Sequence, residues 1–260
     1  MPHLNIKIRK VVFEFISGIR AYLKGAKYYF KGFTVAYVLV SGVLSLIVFL
    51  GLVWLAYSYG DDAGFAFAQG ILSDSEEAGL LSTILSWMTR ILLWIVIIFV
   101  FRYIILIITA PIMGILSEKV EQGETELDID QSLSIWKQFY LIGRGTRIAI
   151  SNLGRELSIT IVLLLISLIP GAVIVTTPLI FVVQAYYAGF GNLDFFMERR
   201  FDTRDSRKFV SKHKGVAIAN GSVFLLLLVI PLAGPFIAPS FASIAATISG
   251  LELLEKDYTF

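Results

Sequence analysis

The sequence predicts an all-α integral membrane protein: two long transmembrane helices plus two proline-broken re-entrant (hemi-penetrating) helical hairpins. Composition is the first reason. Of the 260 residues, 57% are hydrophobic and only 16% charged, and the mean hydropathy of +0.78 lies beyond that of soluble domains. The second reason is a matched pair of apolar stretches, Glu156–Gly189 and Val216–Gly250, in which Pro170 and Pro178 fall in register with Pro231 and Pro239. One span needs about 20 apolar residues and two with a turn about 40 or more, and neither stretch fits either count. The third is charge: basic residues flank the first stretch on both sides and the second at its entry. A single crossing would put one of these basic regions outside, so length and charge both favour hairpins that enter and leave on the cytoplasmic face. The whole of 1–260 reads as a single membrane domain.

Residues 6–31 carry Ile8, Val12, Phe15, Ile16, Ile19, Leu23, Ala26 and Phe30 at a helical period, with Arg20, Lys24, Lys27 and Lys31 along another stripe. This describes an amphipathic helix in the headgroup plane, its cations either binding a ligand or anchoring the cytoplasmic end of the first span. Residues 34–57, Thr34 to Tyr57, form that span, uncharged and closed by Trp54, Tyr57 and Tyr59 as an aromatic belt. No cleavable signal is expected, because the first apolar run begins only near Thr34 after a charged segment. The following loop holds Asp61, Asp62, Asp74, Glu76 and Glu77 without a Lys or Arg, which puts the N-terminus in the cytoplasm.

Residues 80–116 form the second spanning helix, long enough to tilt or protrude and interrupted by Arg90 and Arg102. At the bilayer centre Arg102 would cost on the order of 3 kcal/mol, so it should face protein or water with a partner, as a structural ion or as a pathway residue. A polar segment with Glu121, Glu124, Glu126, Asp128 and Asp130 follows. It lacks the turn glycine and closing glutamate of an EF-hand and reads as a solvated loop. Arg144, Arg147 and Arg155 lead into the first hairpin, 156–189, and a basic linker with Arg199, Arg200, Arg204, Arg207, Lys208, Lys212 and Lys214 leads into the second, 216–250.

If each hairpin folds back at its proline, a new helix begins inside the membrane, where proline suits the first turn. Such a helix start offers unsatisfied N–H groups and a partial positive charge, which an anion satisfies. Gly171 and Gly234 would allow close backbone approach, while Thr176, Thr177 and Ser240 would add hydroxyls. The alternative is two kinked helices with packing prolines.

Other chemistry is poorly served. There is no cysteine, and His3 and His213 are too few and too far apart for a zinc motif. No nucleophile accompanies His213, no glycine-rich phosphate loop follows a strand, and the apolar segments hold no paired acids or histidines. Neither an enzyme nor a cofactor, metal ion or nucleic-acid partner is expected.

The run APIMGILSE, with Ala110 and Pro111 ahead of Gly114, Ile115, Leu116, Ser117 and Glu118, stands beside the YYAGFGNLDFFMERRF segment, Tyr186 to Phe201. With the two proline-centred stretches and the basic linker, these runs resemble the CysZ-type sulfate permeases, which share a membrane domain with the etoposide-induced proteins. The likeness extends from about Phe15 to Leu254, and its most specific part is the Gly-Leu-Leu-Ala-Glu pattern, here with Ile115 and Ser117 as conservative departures. It implies two spanning helices, two membrane-penetrating hairpins, a bacterial inner-membrane location and uptake of sulfate or a related oxyanion. It also implies an anion site at the backbone of Gly114 to Ser117, with Glu118 as an orienting group. The family's arginine pair at the start of the first span has no clean counterpart. The equivalent stretch reads YYFKGF and leaves Lys31 beside Gly32, an ammonium in place of a bidentate fork. Arg102 has no counterpart either.

Two functions from different classes follow. One is transport of a small oxyanion, with Lys31 and the Gly114–Glu118 segment as the site and Arg102, Pro170, Gly171, Pro231 and Gly234 along the pathway. The other is a non-transporting protein that organises or shapes the bilayer through its hairpins. Hairpins of partial depth do not enclose a pore alone, so transport implies a homo-oligomer or a cavity shared with the spanning helices.

Overall fold

A computed structural model describes residues 2–71, 83–84, 87–89, 91, 94, 101–125 and 135–258, and among these the chain is helical with no strand. Glu76, Glu77, Arg90, Asp128 and much of the expected 80–116 helix lie outside the described residues. The helices are α1 (Pro2–Tyr29), α2 (Gly32–Ile71), α3 (Phe101–Ile108), α4 (Ala110–Thr125), α5 (Ile135–Ser167), α6 (Val173–Met197), α7 (Thr203–Lys212), α8 (Lys214–Leu228) and α9 (Ala233–Tyr258). Several are long and apolar enough to cross a membrane, as an all-α membrane protein requires. The chain divides into two units, one of Met1–Ser45 with Ile105–Phe260, the other of Leu46–Ile104.

The larger unit is organised around α6, which packs on α5, α8 and α9, while α1 covers α8 and α9. Small residues set the closest approach. A Cβ on Gly189 would lie 1.8 Å from the Ala217 carbonyl oxygen, and one on Gly221 1.8 Å from that of Ala185. Ala185 with Gly189 on α6 and Ala217 with Gly221 on α8 are thus paired small-xxx-small faces, which bring backbones together where lipid supplies no hydrophobic drive. On α1, Gly18, Ala21, Tyr22, Gly25 and Tyr28 face the protein. Ile8, Val12, Ile16, Ile19, Leu23 and Phe30, most of the apolar stripe read from the sequence, are exposed.

Both apolar stretches do turn at their first proline. Residues 168–172 separate α5 from α6, and 229–232 separate α8 from α9. In the first turn the Ala172 N–H donates to the Ile169 carbonyl at 3.0 Å, with Pro170 and then Gly171 at φ +82° between them. Proline followed by a left-handed residue is the signature of a type II turn. The second repeats the order with Leu232, at φ +60°, where the first has glycine. Pro178 and Pro239 lie inside α6 and α9.

Three expectations are corrected, the first being the solvated loop read at Glu121 and Glu124, which lie in α4 with Glu121 buried. Helix α2 does not end at the aromatic belt but continues to Ile71, carrying Asp61 and Asp62. Alanines at 63, 66 and 68 favour helix over loop there. The second spanning helix, read as continuous over 80–116, is bent by 66° between α3 and α4. Pro111, in the first turn of α4, has no N–H for the Ile107 carbonyl, and its ring crowds that group. Thr109 occupies the bend, its hydroxyl donating to the Ile105 carbonyl at 2.6 Å.

In the smaller unit Phe49 meets Phe101 edge-on at 5.4 Å. Arg102 is buried, as a cation on an apolar helix must be, with its guanidinium 4.9 Å from the Tyr103 ring.

Candidate functional site

Gly114 to Glu118 fall in the second turn of α4. Amides that deep in a helix bond to the preceding turn, so this segment offers other groups a carbonyl and a hydroxyl rather than bare N–H donors. Both are taken by one arginine. Arg199 donates to the Gly114 carbonyl at 3.1 Å, to Ser117 Oγ at 3.0 Å and to Glu121 Oε2 at 2.9 Å. Arg200 donates to the other oxygen of the Glu121 carboxylate. From α9, Thr247 Oγ1 lies 2.8 Å from Ser117 Oγ. Leu116 is buried beneath this seam and Ile115 is exposed beside it.

Arg199 and Arg200 leave the C-terminal end of α6, and Glu121 lies one turn past Ser117 on α4. Two guanidinium groups therefore converge on one buried carboxylate. Such forks match planar or tetrahedral oxyanions bidentately. Glu118, half-buried on α4, and Glu198 are the other acids near Arg199. Burial and the neighbouring Asp194 carboxylate push the Glu198 carboxyl up to about 8, against the pull of Arg199 and Arg144. Its Oε1 stands 2.6 Å from where a Gly114 Cβ would be, so the glycine makes room for it. Near neutral pH the seam thus holds two arginines, Glu121, Glu118 close to Arg199, and a largely neutral Glu198.

The residues read from the sequence are distributed differently from that reading. Lys31 is exposed, its ammonium 4.4 Å from the Tyr28 ring. Tyr28 donates to the Gly123 carbonyl at 2.9 Å, and Lys27 pairs with Glu124 at 2.8 Å, so this end of α1 meets the last turn of α4, two turns from Ser117. At the hairpin tips the first amides of α6 are already bonded, Thr176 N–H to Ala172 at 2.9 Å and Ile174 N–H to Gly171 at 3.4 Å. At the second tip the Gly234 N–H takes the Ile230 carbonyl at 2.8 Å. Pro170 and Pro231 are exposed. Gly171 faces open space, whereas Gly234 presses on the Leu227 carbonyl, so neither shows a cradle for a ligand.

The basic flanks prove to be structural in part. Arg144 grips Asp194 through both carboxylate oxygens, at 3.1 and 2.9 Å, and also donates to Ser206 Oγ at 2.6 Å. This ties α5, α6 and α7 together at the base of the first hairpin. His213 lies between Glu14 Oε1 at 3.0 Å and Asp257 Oδ2 at 3.1 Å, fastening α1 and α9 to the base of the second. The Arg199–Arg200 pair was overlooked as a site. The signal was present, since Glu198-Arg199-Arg200 closes an apolar helix and Glu121 is the acid nearest the Gly114–Glu118 run.

The family described as "Sulfate transporter CysZ/Etoposide-induced protein 2.4" matches residues 21–239, which include both turns, α4 and the two arginines. The chain belongs to this family. No curated protein matches the sequence significantly. Membership in the sulfate transporter CysZ/etoposide-induced protein family agrees with the multi-pass helical fold and with the resemblance read from Gly114, Leu116 and Glu118.

Proposed function

We propose that the protein moves a small oxyanion, sulfate first, across a bacterial inner membrane, with its N-terminus in the cytoplasm. The observation that carries this reading is the convergence of Arg199 and Arg200 on Glu121, with Arg199 also bonded to Gly114 and Ser117. Here an arginine pair stands against the segment that the family resemblance marks for the anion, although it comes from α6 rather than from the start of the first span. Glu121 fills both forks in the resting protein, so the arriving oxyanion displaces an internal carboxylate. Glu198, neutral near pH 7, links the site to the proton gradient.

In this proposal Lys31, exposed at the end of α1, attracts anions from solution, and Glu118 orients the seam. Pro170, Gly171, Pro231 and Gly234 form the walls of the pathway. The hairpins are re-entrant. Continuous apolar exposure on α5 runs from Leu157 to Ile166, about 14 Å of helix against a hydrocarbon core of about 30 Å, although Gly143–Ser167 and Val173–Met197 are by length and composition each able to cross. Protomers associate, because hairpins of that depth do not enclose a channel alone.

The exposed first hairpin also favours a second reading, a membrane-shaping protein of the same fold. One sample separates the two. Proteoliposomes are assayed for uptake of labelled sulfate, sulfite and thiosulfate and imaged for vesicle shape. Uptake above protein-free vesicles without remodelling supports transport. Remodelling with no uptake of any of these anions sinks it.

A further inference from the structure

A second basic region lies apart from the seam. Where α5, α6 and α7 meet at the base of the first hairpin there is a cavity of about 490 Å³, lined by Arg155, Arg204, Arg207 and Lys208 together with Tyr186 and Tyr187. Its cations are unequally engaged. Lys208 is held by Asp205 at 2.8 Å, and Arg207 donates to Ser151 Oγ at 2.9 Å. The Arg207 Nε is buried without a partner, and among the described residues no carboxylate holds Arg155 or Arg204. The cavity therefore presents net positive charge that the protein leaves uncompensated, in a volume typical of a pocket for an organic ligand rather than a bare ion.

Its position narrows the ligand. Two residues beyond Arg155 begins the apolar face of α5, where Leu157, Ile159, Ile161, Val162, Leu164 and Leu165 are all exposed. From Arg155 to Leu165 is about 15 Å of helix, which is the depth of one leaflet of a hydrocarbon core about 30 Å thick. A basic pocket at the foot of a leaflet-deep apolar face matches a molecule with an anionic head and apolar tails. We propose that this cavity is the headgroup site of an anionic phospholipid. Arg155, Arg204 and Arg207 hold the phosphate, Tyr186 and Tyr187 flank the headgroup, and the acyl chains lie along α5. The site is independent of the transport reading and would persist in a protein that carried no sulfate.

The test is thermal unfolding of the full chain, delipidated in a neutral detergent, with added dioleoylphosphatidylglycerol, dioleoylphosphatidylcholine or sodium phosphate. Phosphatidylglycerol in hundredfold excess over its Kd raises Tm by about 5 °C or more, and the other two leave it unchanged. Arg155→Gln/Arg204→Gln, at two exposed positions, keeps the Tm of the lipid-free protein and loses most of the lipid-induced rise. Should that variant not fold, Arg204→Gln alone shows a reduced rise. An equal rise with phosphatidylcholine, or an undiminished rise in the variants, overturns the proposal. Free phosphate reproducing the rise also overturns it, by making the cavity a soluble-anion pocket.

Discussion

The two hairpins reverse at the same residue order, closed by different hydrogen bonds, Ala172 to Ile169 in the first and Gly234 to Ile230 in the second, and are used in opposite ways. Each reverses at an Ile-Pro pair followed by a left-handed residue, Gly171 in the first and Leu232 in the second. Yet 72% of the apolar stretch of α9 is buried, against 22% in α5 and 33% in α6. The second hairpin is a core element, clamped by α1, α4 and α6. The first projects the apolar side chains of its outer half outward, and is held by the inner half of α6 packing on α8 and α9 and by Arg144 at its base. The shared residue order therefore sets the fold-back, while small-residue spacing decides which hairpin becomes core. Glycine and alanine every fourth residue let α8 nest on α6, and the outer half of the first hairpin has branched side chains instead.

Breaking the shared crossing should have the largest effect. Gly221→Leu forces two backbones apart and is expected to abolish the folded species in size-exclusion chromatography, whereas Leu164→Ala on the outward face of α5 leaves it intact. Recovery of normal, monodisperse Gly221→Leu protein would disprove the crossing. Next comes the base of the first hairpin. Arg144→Met strands the buried Asp194 carboxylate and should cost about 3–5 kcal/mol, read as a lowered Tm. An unchanged Tm would mean that the hairpin is not held there.

The seam beside that base gives a pH signature. Because the Glu198 carboxyl is raised to about 8 from an ordinary value of 4.5, the native state keeps a proton that the unfolded chain has lost. Stability should therefore fall as pH rises through that interval and level off above it. Glu198→Gln should flatten the dependence, and a slope identical to that of the unaltered protein would remove Glu198 as its source. The smallest effect sharpens the comparison of the turns. Leu232→Gly relieves a left-handed leucine and should stabilise by about 1 kcal/mol, whereas Gly171→Leu should destabilise by a similar amount. Changes of the same sign would show that the turns are not equivalent.

Much of this architecture was legible in the sequence because it rests on local chemistry. Proline spacing gave both turns, hydropathy gave the start of α2, and the APIMGILSE run pointed to α4. The bend at Thr109 was readable in principle from Pro111, but the apolar run on both sides of it masks the break. What could not be read depends on contacts distant in sequence. Arg199 reaches Glu121 across 78 residues, and no period in either segment announces the meeting. Lys31 was attractive because it stands where the family places its arginines, yet the helix end that carries it docks at Gly123 and Glu124 rather than at Gly114. Basic residues read only as topology signals also include Arg144, whose buried contacts depend on α7 folding back over α5.

In the proposed site Glu121 holds the place of an oxyanion between Arg199 and Arg200. Titration calorimetry of sulfate into detergent-solubilised protein, unaltered and Glu121→Gln, tests it most directly. Glutamine keeps an acceptor and the shape of the side chain but removes the competing charge, so the account predicts at least tenfold tighter sulfate binding in Glu121→Gln. Equal or weaker binding in a folded variant would contradict it.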